Sequence, residues 1–112
     1  MNWEDAKQST LRLWRSIYDS VGEADPVALL TEINAISDLC AVAKEEAAVA
    51  HDLDKCHYCP AYQQFGGCRQ VSALLSELVA RRDWPELRVQ ISSFIQQLER
   101  MEAPGPLQIV VH

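Results

Sequence analysis

Residues 56 to 60 are Cys56-His57-Tyr58-Cys59-Pro60, and Cys68 follows after seven further residues. Together with Cys40, this segment holds all four cysteines of the 112-residue chain within 29 residues. A Cys-x-x-Cys turn brings two sulfurs to one side of a tight bend, where both can bind a single metal ion or cluster. We therefore interpret the four thiols as one metal site that organises the surrounding chain.

The predicted metal ligands are Cys40, Cys56, Cys59 and Cys68, with His51 as an alternative fourth ligand. The spacing contains one close cysteine pair, whereas common zinc ribbons and fingers contain two. Cys40 lies about 12 residues before the predicted end of its helix, or roughly 18 Å, so the loop that follows must fold back to reach it. His51 lies at the helix end and requires no such return. We favour Cys40, because the apolar side chains on its helix face become smaller after it. They change from leucine and isoleucine to alanine, which leaves room for a returning loop.

The sequence favours zinc and leaves an iron–sulfur cluster as the alternative cofactor. Zinc takes four thiolates, or three thiolates and one imidazole, in a closed tetrahedral site that contributes folding energy. An iron–sulfur cluster also takes four thiolates, and its larger size suits irregular spacings. Without a metal, Cys40 and Cys68 would be small buried apolar residues, and Cys56 with Cys59 would be a redox pair. Such a redox motif belongs with a βαβ pattern, which this chain lacks.

Hydrophobic periodicity predicts an all-α protein of one domain, residues 1–112. The predicted helices cover about residues 2–20, 26–52, 68–82 and 84–102. Asn2, Asp25 and Asp83 stand where helix N-caps are expected, with Pro26 at a first helical position. The four helices are expected to form a four-helix bundle of two hairpins, the first helix with the second and the third with the fourth.

Two segments lack a helical pattern. Residues 53–67 form the predicted cysteine loop between the second and third helices, and a loop of that length is usually functional or disordered. Its aromatic content argues against disorder, so an internal cross-link through a metal would explain how it is held. Residues 103–112 form a predicted extended tail, in which Leu107 to Val111 could pair with a protein partner or with a second copy of the chain.

The charge of the chain indicates which classes of binding partner to expect. The net charge is −6, and residues 1–55 carry five Lys and Arg against eleven Asp and Glu. This acidic half would repel a phosphate backbone or an anionic membrane surface, so we expect no nucleic acid and no membrane partner. The N-terminal residues lack the apolar run of a signal peptide. We expect a cytoplasmic protein, in which thiols stay reduced and available to a metal.

No catalytic residues are predicted. The chain contains no Gly-rich phosphate loop, no His-Glu-x-x-His motif, no nucleophile elbow and no Glu-x-x-His pair. The sequence therefore predicts a small intracellular metal-binding helical protein, not an enzyme, in which a structural four-cysteine zinc site supports an adaptor or regulatory interaction module. The alternative is an iron–sulfur protein that transfers electrons or senses redox state.

Overall fold

The computed structural model describes residues 2–35 and 37–102, with only the backbone described for residues 67–70. Within these ranges all regular structure is helical, which confirms the predicted all-α class. In chain order the helices are α1 (Trp3–Ser20), α2 (Pro26–Ile33), α3 (Asp38–Val49), α4 (Pro60–Phe65), α5 (Gly67–Ala80) and α6 (Trp84–Arg100), with a 3₁₀ helix at Lys55–Tyr58 between α3 and α4. The predicted tail, residues 103–112, lies outside the described residues.

Side-chain caps set the first turns of α1 and α6. The Asn2 side chain accepts a hydrogen bond from the backbone N–H of Asp5 at 2.7 Å. The Asp83 side chain does the same for the N–H of Glu86 at 3.3 Å. These bonds satisfy amides that have no partner inside the helix, so both helices begin where the sequence places an N-cap residue.

The predicted helix over residues 26–52 is two helices in the structure. α2 ends at Ile33, and the Asn34 side chain then donates a hydrogen bond to the Leu30 carbonyl at 2.8 Å. Ser37 adopts an extended conformation (φ −82°, ψ 167°), and its hydroxyl accepts from the N–H of Cys40. A serine that caps a new helix ends the preceding one, because an N-cap residue is not helical. The apolar stripe continues across this break, so periodicity alone conceals it.

The predicted cysteine loop over residues 53–67 also needs correction, because it contains the 3₁₀ helix and α4. Asp54 begins the 3₁₀ helix by accepting from the N–H of Cys56 at 3.0 Å. Pro60 occupies the first turn of α4, where its missing N–H costs nothing. Gly66 ends α4 in the left-handed region at φ 89°. Elements of four and six residues are too short to leave a periodic pattern in the sequence.

The helices of both predicted hairpins are in contact, and further pairs of helices pack as well. α1 packs against both α3 and α6, and α5 packs against α6. α2 contacts α5 more than it contacts α1. The split of the second predicted helix allows this, because its two halves reach different neighbours. The four-helix bundle of two hairpins is therefore not confirmed.

An aromatic cluster lies where α1 and α6 meet the cysteine segment. The Phe94 ring contacts the Trp14 ring edge to face, with centroids 4.8 Å apart. It also contacts Phe65, at the end of α4, at 5.9 Å. Such pairs add roughly 0.5–1.5 kcal/mol each beyond their buried area. Phe94 therefore joins the long helices to the segment that carries Cys59.

The stretch Pro26–Val49 is long and apolar enough to span a membrane by length and composition alone. The core helix of a soluble protein passes the same test. In the structure this stretch is α2 and α3 with the capped break between them. Neither the apolar length of this stretch nor the break within it assigns a cellular location to the protein.

Candidate metal centre

The chain reverses direction directly after α3. His51 lies in the left-handed region at φ 56°, and the N–H of Asp52 donates to the Ala47 carbonyl at 2.8 Å. This is the hydrogen bond of a Schellman turn, which closes a helix and redirects the chain. The 3₁₀ helix that follows packs extensively against α3. The return of the loop along its helix, which a Cys40 ligand requires, is therefore present.

The returning segment brings Cys59 to Cys40. Cys40 is the third residue of α3, and Cys59 directly precedes α4. Both are half-buried, and both line one cavity of about 20 Å³. The rest of that cavity is formed by Thr10, Trp14, Ser37, Leu39, Ala61, Phe94 and Leu98. Two cysteines 19 positions apart in the sequence thus line one small cavity at the N-terminal end of α3.

The thiol pKa of Cys59 reports its surroundings. Burial raises this pKa first, because a thiolate loses solvation in an apolar cavity. The backbone amides of Tyr62 and Ala61, at the start of α4, act in the opposite direction by stabilising the thiolate. Cys40 and Cys56 raise the pKa further as nearby groups that gain negative charge. Cys59 therefore interacts electrostatically with both of the other described cysteines.

Cys56 approaches the centre from the 3₁₀ helix. Its N–H donates to Asp54, which fixes the backbone one turn before Cys59. Cys56 is half-buried, and neither Cys56 nor Cys59 forms a disulfide within the described part of the chain. The two thiols of the Cys-x-x-Cys pair are therefore not bonded to each other.

His57, between the two cysteines, faces solvent. Its Nδ1 lies 3.2 Å from Asp52 Oδ2, and its Nε2 lies 3.4 Å from Asp54 Oδ2. The pKa of Asp52 is lowered, first by the backbone N–H of Asp54 and then by His57. The imidazole therefore lies between two carboxylates on the solvent-exposed side of the turn.

Cys68 is the second residue of α5, one helix beyond Cys59, and its side chain is not among those described. Among the described side chains, no group of three or more His, Cys, Asp and Glu residues is arranged to hold a metal ion. This finding covers three of the four predicted cysteine ligands. The structure therefore brings Cys40 and Cys59 to one cavity with Cys56 beside them, and does not address Cys68.

His51, the alternative ligand, is exposed at the opposite end of α3 from Cys40. Its left-handed backbone is unfavourable by roughly 1–2 kcal/mol for a residue with a Cβ. We expect His51→Gly to raise the free energy of unfolding by about 0.5–1 kcal/mol, since the greater freedom of unfolded glycine offsets part of that relief. Zinc bound per chain should stay unchanged. Urea unfolding of metal-free protein and metal analysis of the zinc-loaded form measure the two effects.

Arg82 provides a matched comparison for this substitution. It has φ 59° at the end of α5, but its guanidinium also donates to the Val79 carbonyl at 2.8 Å. Arg82→Gly should therefore gain less stability than His51→Gly. Loss of zinc from His51→Gly, with zinc retained by Arg82→Gly, would identify the imidazole as a ligand and contradict our preference for Cys40.

Two hydroxyl residues at the cavity, Ser37 and Thr10, are not among the residues predicted from the sequence. Ser37 could have been found as an N-cap residue before a helical first turn, although the continuous stripe obscured it. Thr10 leaves no sequence signal, because it lies on α1, 30 residues before Cys40. Only the packing of α1 against α3 brings it to the cavity.

No known protein family, curated protein or solved structure matches this chain. The function must therefore be inferred from the fold and from the residues around the cavity.

Proposed function

We propose that this chain is a small metal-binding helical protein in which Cys40, Cys56, Cys59 and Cys68 hold one structural zinc ion. The observation that carries the proposal is the cavity shared by Cys40 and Cys59. Two cysteines 19 residues apart line the same cavity, and a third thiol lies near enough to affect the pKa of Cys59. The fourth ligand comes from the start of α5, which directly follows α4.

The size of the cavity favours a single ion over a cluster. A cavity of about 20 Å³ has room for about one water molecule, which needs at least roughly 10–15 Å³. A cluster of several iron and sulfide atoms needs much more room between the same sulfurs. An iron–sulfur cluster in electron transfer or redox sensing is therefore the alternative, and it would require the returning segment to move outward from α3.

The role of the zinc would be to fasten the segment of residues 52–66 to α3. This segment contains few fully buried side chains, among them Pro60 and Ala61. The energy of four zinc–sulfur bonds would stabilise this arrangement directly. The fastened bundle then serves as a cytoplasmic adaptor or regulatory module, without enzymatic activity and without nucleic acid or membrane partners. Its protein contacts, with another protein or a second copy, would use Leu107 to Val111.

Metal analysis of native protein tests the proposal. Protein purified under nitrogen without chelators should be colourless and contain one zinc per chain. A brown protein that absorbs near roughly 400 nm would establish the iron–sulfur alternative instead. If neither metal is present and all four thiols of the folded protein react together with a thiol reagent, the shared metal site is wrong.

A further inference from the structure

A groove between α1 and α6 shares no lining residue with the cysteine cavity. Its volume is about 380 Å³, within the range of roughly 300–1,000 Å³ that ligand-binding pockets occupy. In the described part of the chain it is lined by Tyr18 of α1 and by Arg88, Val89, Ser92, Ser93 and Gln96 of α6. The groove is therefore large enough to receive side chains of another segment.

Two of the lining residues expose apolar surface to solvent. Val89 is 58% exposed, and Tyr18 is 37% exposed. Contact of such surface with water is unfavourable, and covering it with other apolar side chains releases that water. A ligand with apolar side chains is therefore favoured at these two residues.

The other lining residues supply hydrogen-bonding groups. Ser92, Ser93 and Gln96 carry hydroxyl and amide groups, and Arg88 donates to the Val21 carbonyl at 2.6 Å, beside the end of α1. None of the described lining residues is acidic. An extended segment that lies on helices needs partners for its backbone N–H and C=O groups, and these side chains can provide them. The groove therefore fits an extended, uncharged segment with apolar side chains.

A segment of this composition follows α6 in the sequence. Residues 107–111 are Leu-Gln-Ile-Val-Val, four of them apolar and none charged. They lie outside the described residues, but the chain that leads to them leaves α6 beside α1. The Lys7 side chain of α1 donates to the carbonyls of Glu99 and Met101 at 3.0 and 2.9 Å. These bonds hold the end of α6 against one of the two helices that form the groove.

The lengths of the groove and of this segment agree. The groove covers α6 from Arg88 to Gln96, or roughly 12 Å at about 1.5 Å per residue. Five extended residues span roughly 13 Å at about 3.3 Å per step. Glu102 lies roughly 9 Å beyond Gln96 on the same scale, and the chain from Glu102 to Leu107 can span roughly 16 Å. Pro-Gly-Pro at residues 104–106 favours a turn between them, so the segment can reach back along the groove.

We propose that the groove between α1 and α6 binds residues 107–111 of its own chain in an extended conformation. A tethered segment within reach acts at an effective concentration in the millimolar range, which favours it over a second copy of the chain. The inference goes beyond the proposed function and does not depend on zinc. It gives residues 107–111 a position from which a protein partner would have to displace them.

NMR spectroscopy of the full chain tests this inference. The backbone order parameters of residues 107–111 should approach the value of about 0.85 for rigid backbone, because the bound segment is held on both sides. Nuclear Overhauser effects should connect the methyl groups of this segment with the Tyr18 ring and the Val89 methyl groups. Order parameters below about 0.6 throughout the segment, with no such contacts, would overturn the proposal.

Val89→Asp and Val27→Asp form a matched pair of variants. Val89 and Val27 are 58% and 68% exposed, and substitutions at such positions change stability little. Val27 lies on α2 and does not line the groove. Val89→Asp places a charge against apolar side chains, so the order parameters of residues 107–111 should fall below about 0.6 in this variant only. The same order parameters in both variants would contradict binding in the groove.

Dilution of the full chain identifies which copy supplies the segment. An intramolecular contact does not depend on protein concentration, whereas contact with a second copy weakens on dilution by mass action. The methyl chemical shifts of residues 107–111 should therefore stay constant. Shifts that move on dilution would assign the groove to a second copy and overturn the proposal. All measurements use metal-free and zinc-loaded protein, so that failure to bind zinc would overturn the proposed function and leave this inference standing on its own contacts.

Discussion

Cys40→Ala and Cys59→Ala are each expected to lower the melting temperature of the zinc-loaded protein by roughly 15 °C, and by similar amounts. At a free zinc concentration of about 1,000 times Kd, binding stabilises a protein by roughly 4 kcal/mol. Loss of one of four thiolates removes most of that contribution. For a chain of about 100 residues, 1 kcal/mol corresponds to roughly 4 °C. Thermal unfolding followed by circular dichroism measures the shift.

The same variants without metal provide the control. Both sulfurs line one cavity, so each alanine removes a comparable contact and the metal-free proteins should differ little from metal-free wild type. If Cys59→Ala loses zinc stabilisation and Cys40→Ala keeps it, Cys40 is not a ligand and His51 becomes the candidate. If zinc changes the melting temperature of neither the variants nor the wild type, the cysteines do not form a metal site.

Phe94→Ala is expected to destabilise the fold by about 3–5 kcal/mol, the range for deleting a buried aromatic side chain. Phe94 is 2% exposed, contacts the rings of Trp14 and Phe65, and lines the cysteine cavity. Its loss removes the aromatic connection between α6 and the end of α4. The midpoint of urea unfolding of metal-free protein should fall accordingly.

Val89→Ala is the matched substitution for this experiment. Val89 lies on α6, like Phe94, but is 58% exposed, and exposed substitutions usually change stability by less than about 0.5 kcal/mol. Equal unfolding midpoints for Phe94→Ala and Val89→Ala would show that Phe94 is not part of the packed core. Phe94→Leu, which keeps most of the volume, should fall between the two.

The long elements of the fold could be predicted because local chemistry determines them. α1 and α6 each bury one regular stripe and begin at a capping residue, Asn2 or Asp83. The split between α2 and α3 could not be predicted in the same way. Its apolar residues keep a helical period through the break, and the signals of the break are the Asn34 C-cap of α2 and the Ser37 N-cap of α3. The 3₁₀ helix and α4 were missed because elements that short carry no measurable period.

The same distinction between local sequence and helix packing applies to the candidate site. The Cys-x-x-Cys turn and the need for a loop that returns to Cys40 follow from spacing and helix length. The side on which this loop lies follows from the packing of the 3₁₀ helix against α3, and the presence of Thr10 at the cavity follows from contacts between α1 and α3.

The sequence by itself determined the helical class, the N-caps of α1 and α6 and the gathering of four thiols in 29 residues, because these depend on neighbours along the chain. Only the tertiary structure decided that Cys40 and Cys59 face one cavity and that a buried threonine of α1 completes its wall. Such contacts join residues distant in sequence, and they depend on how helices pack, which no local pattern records.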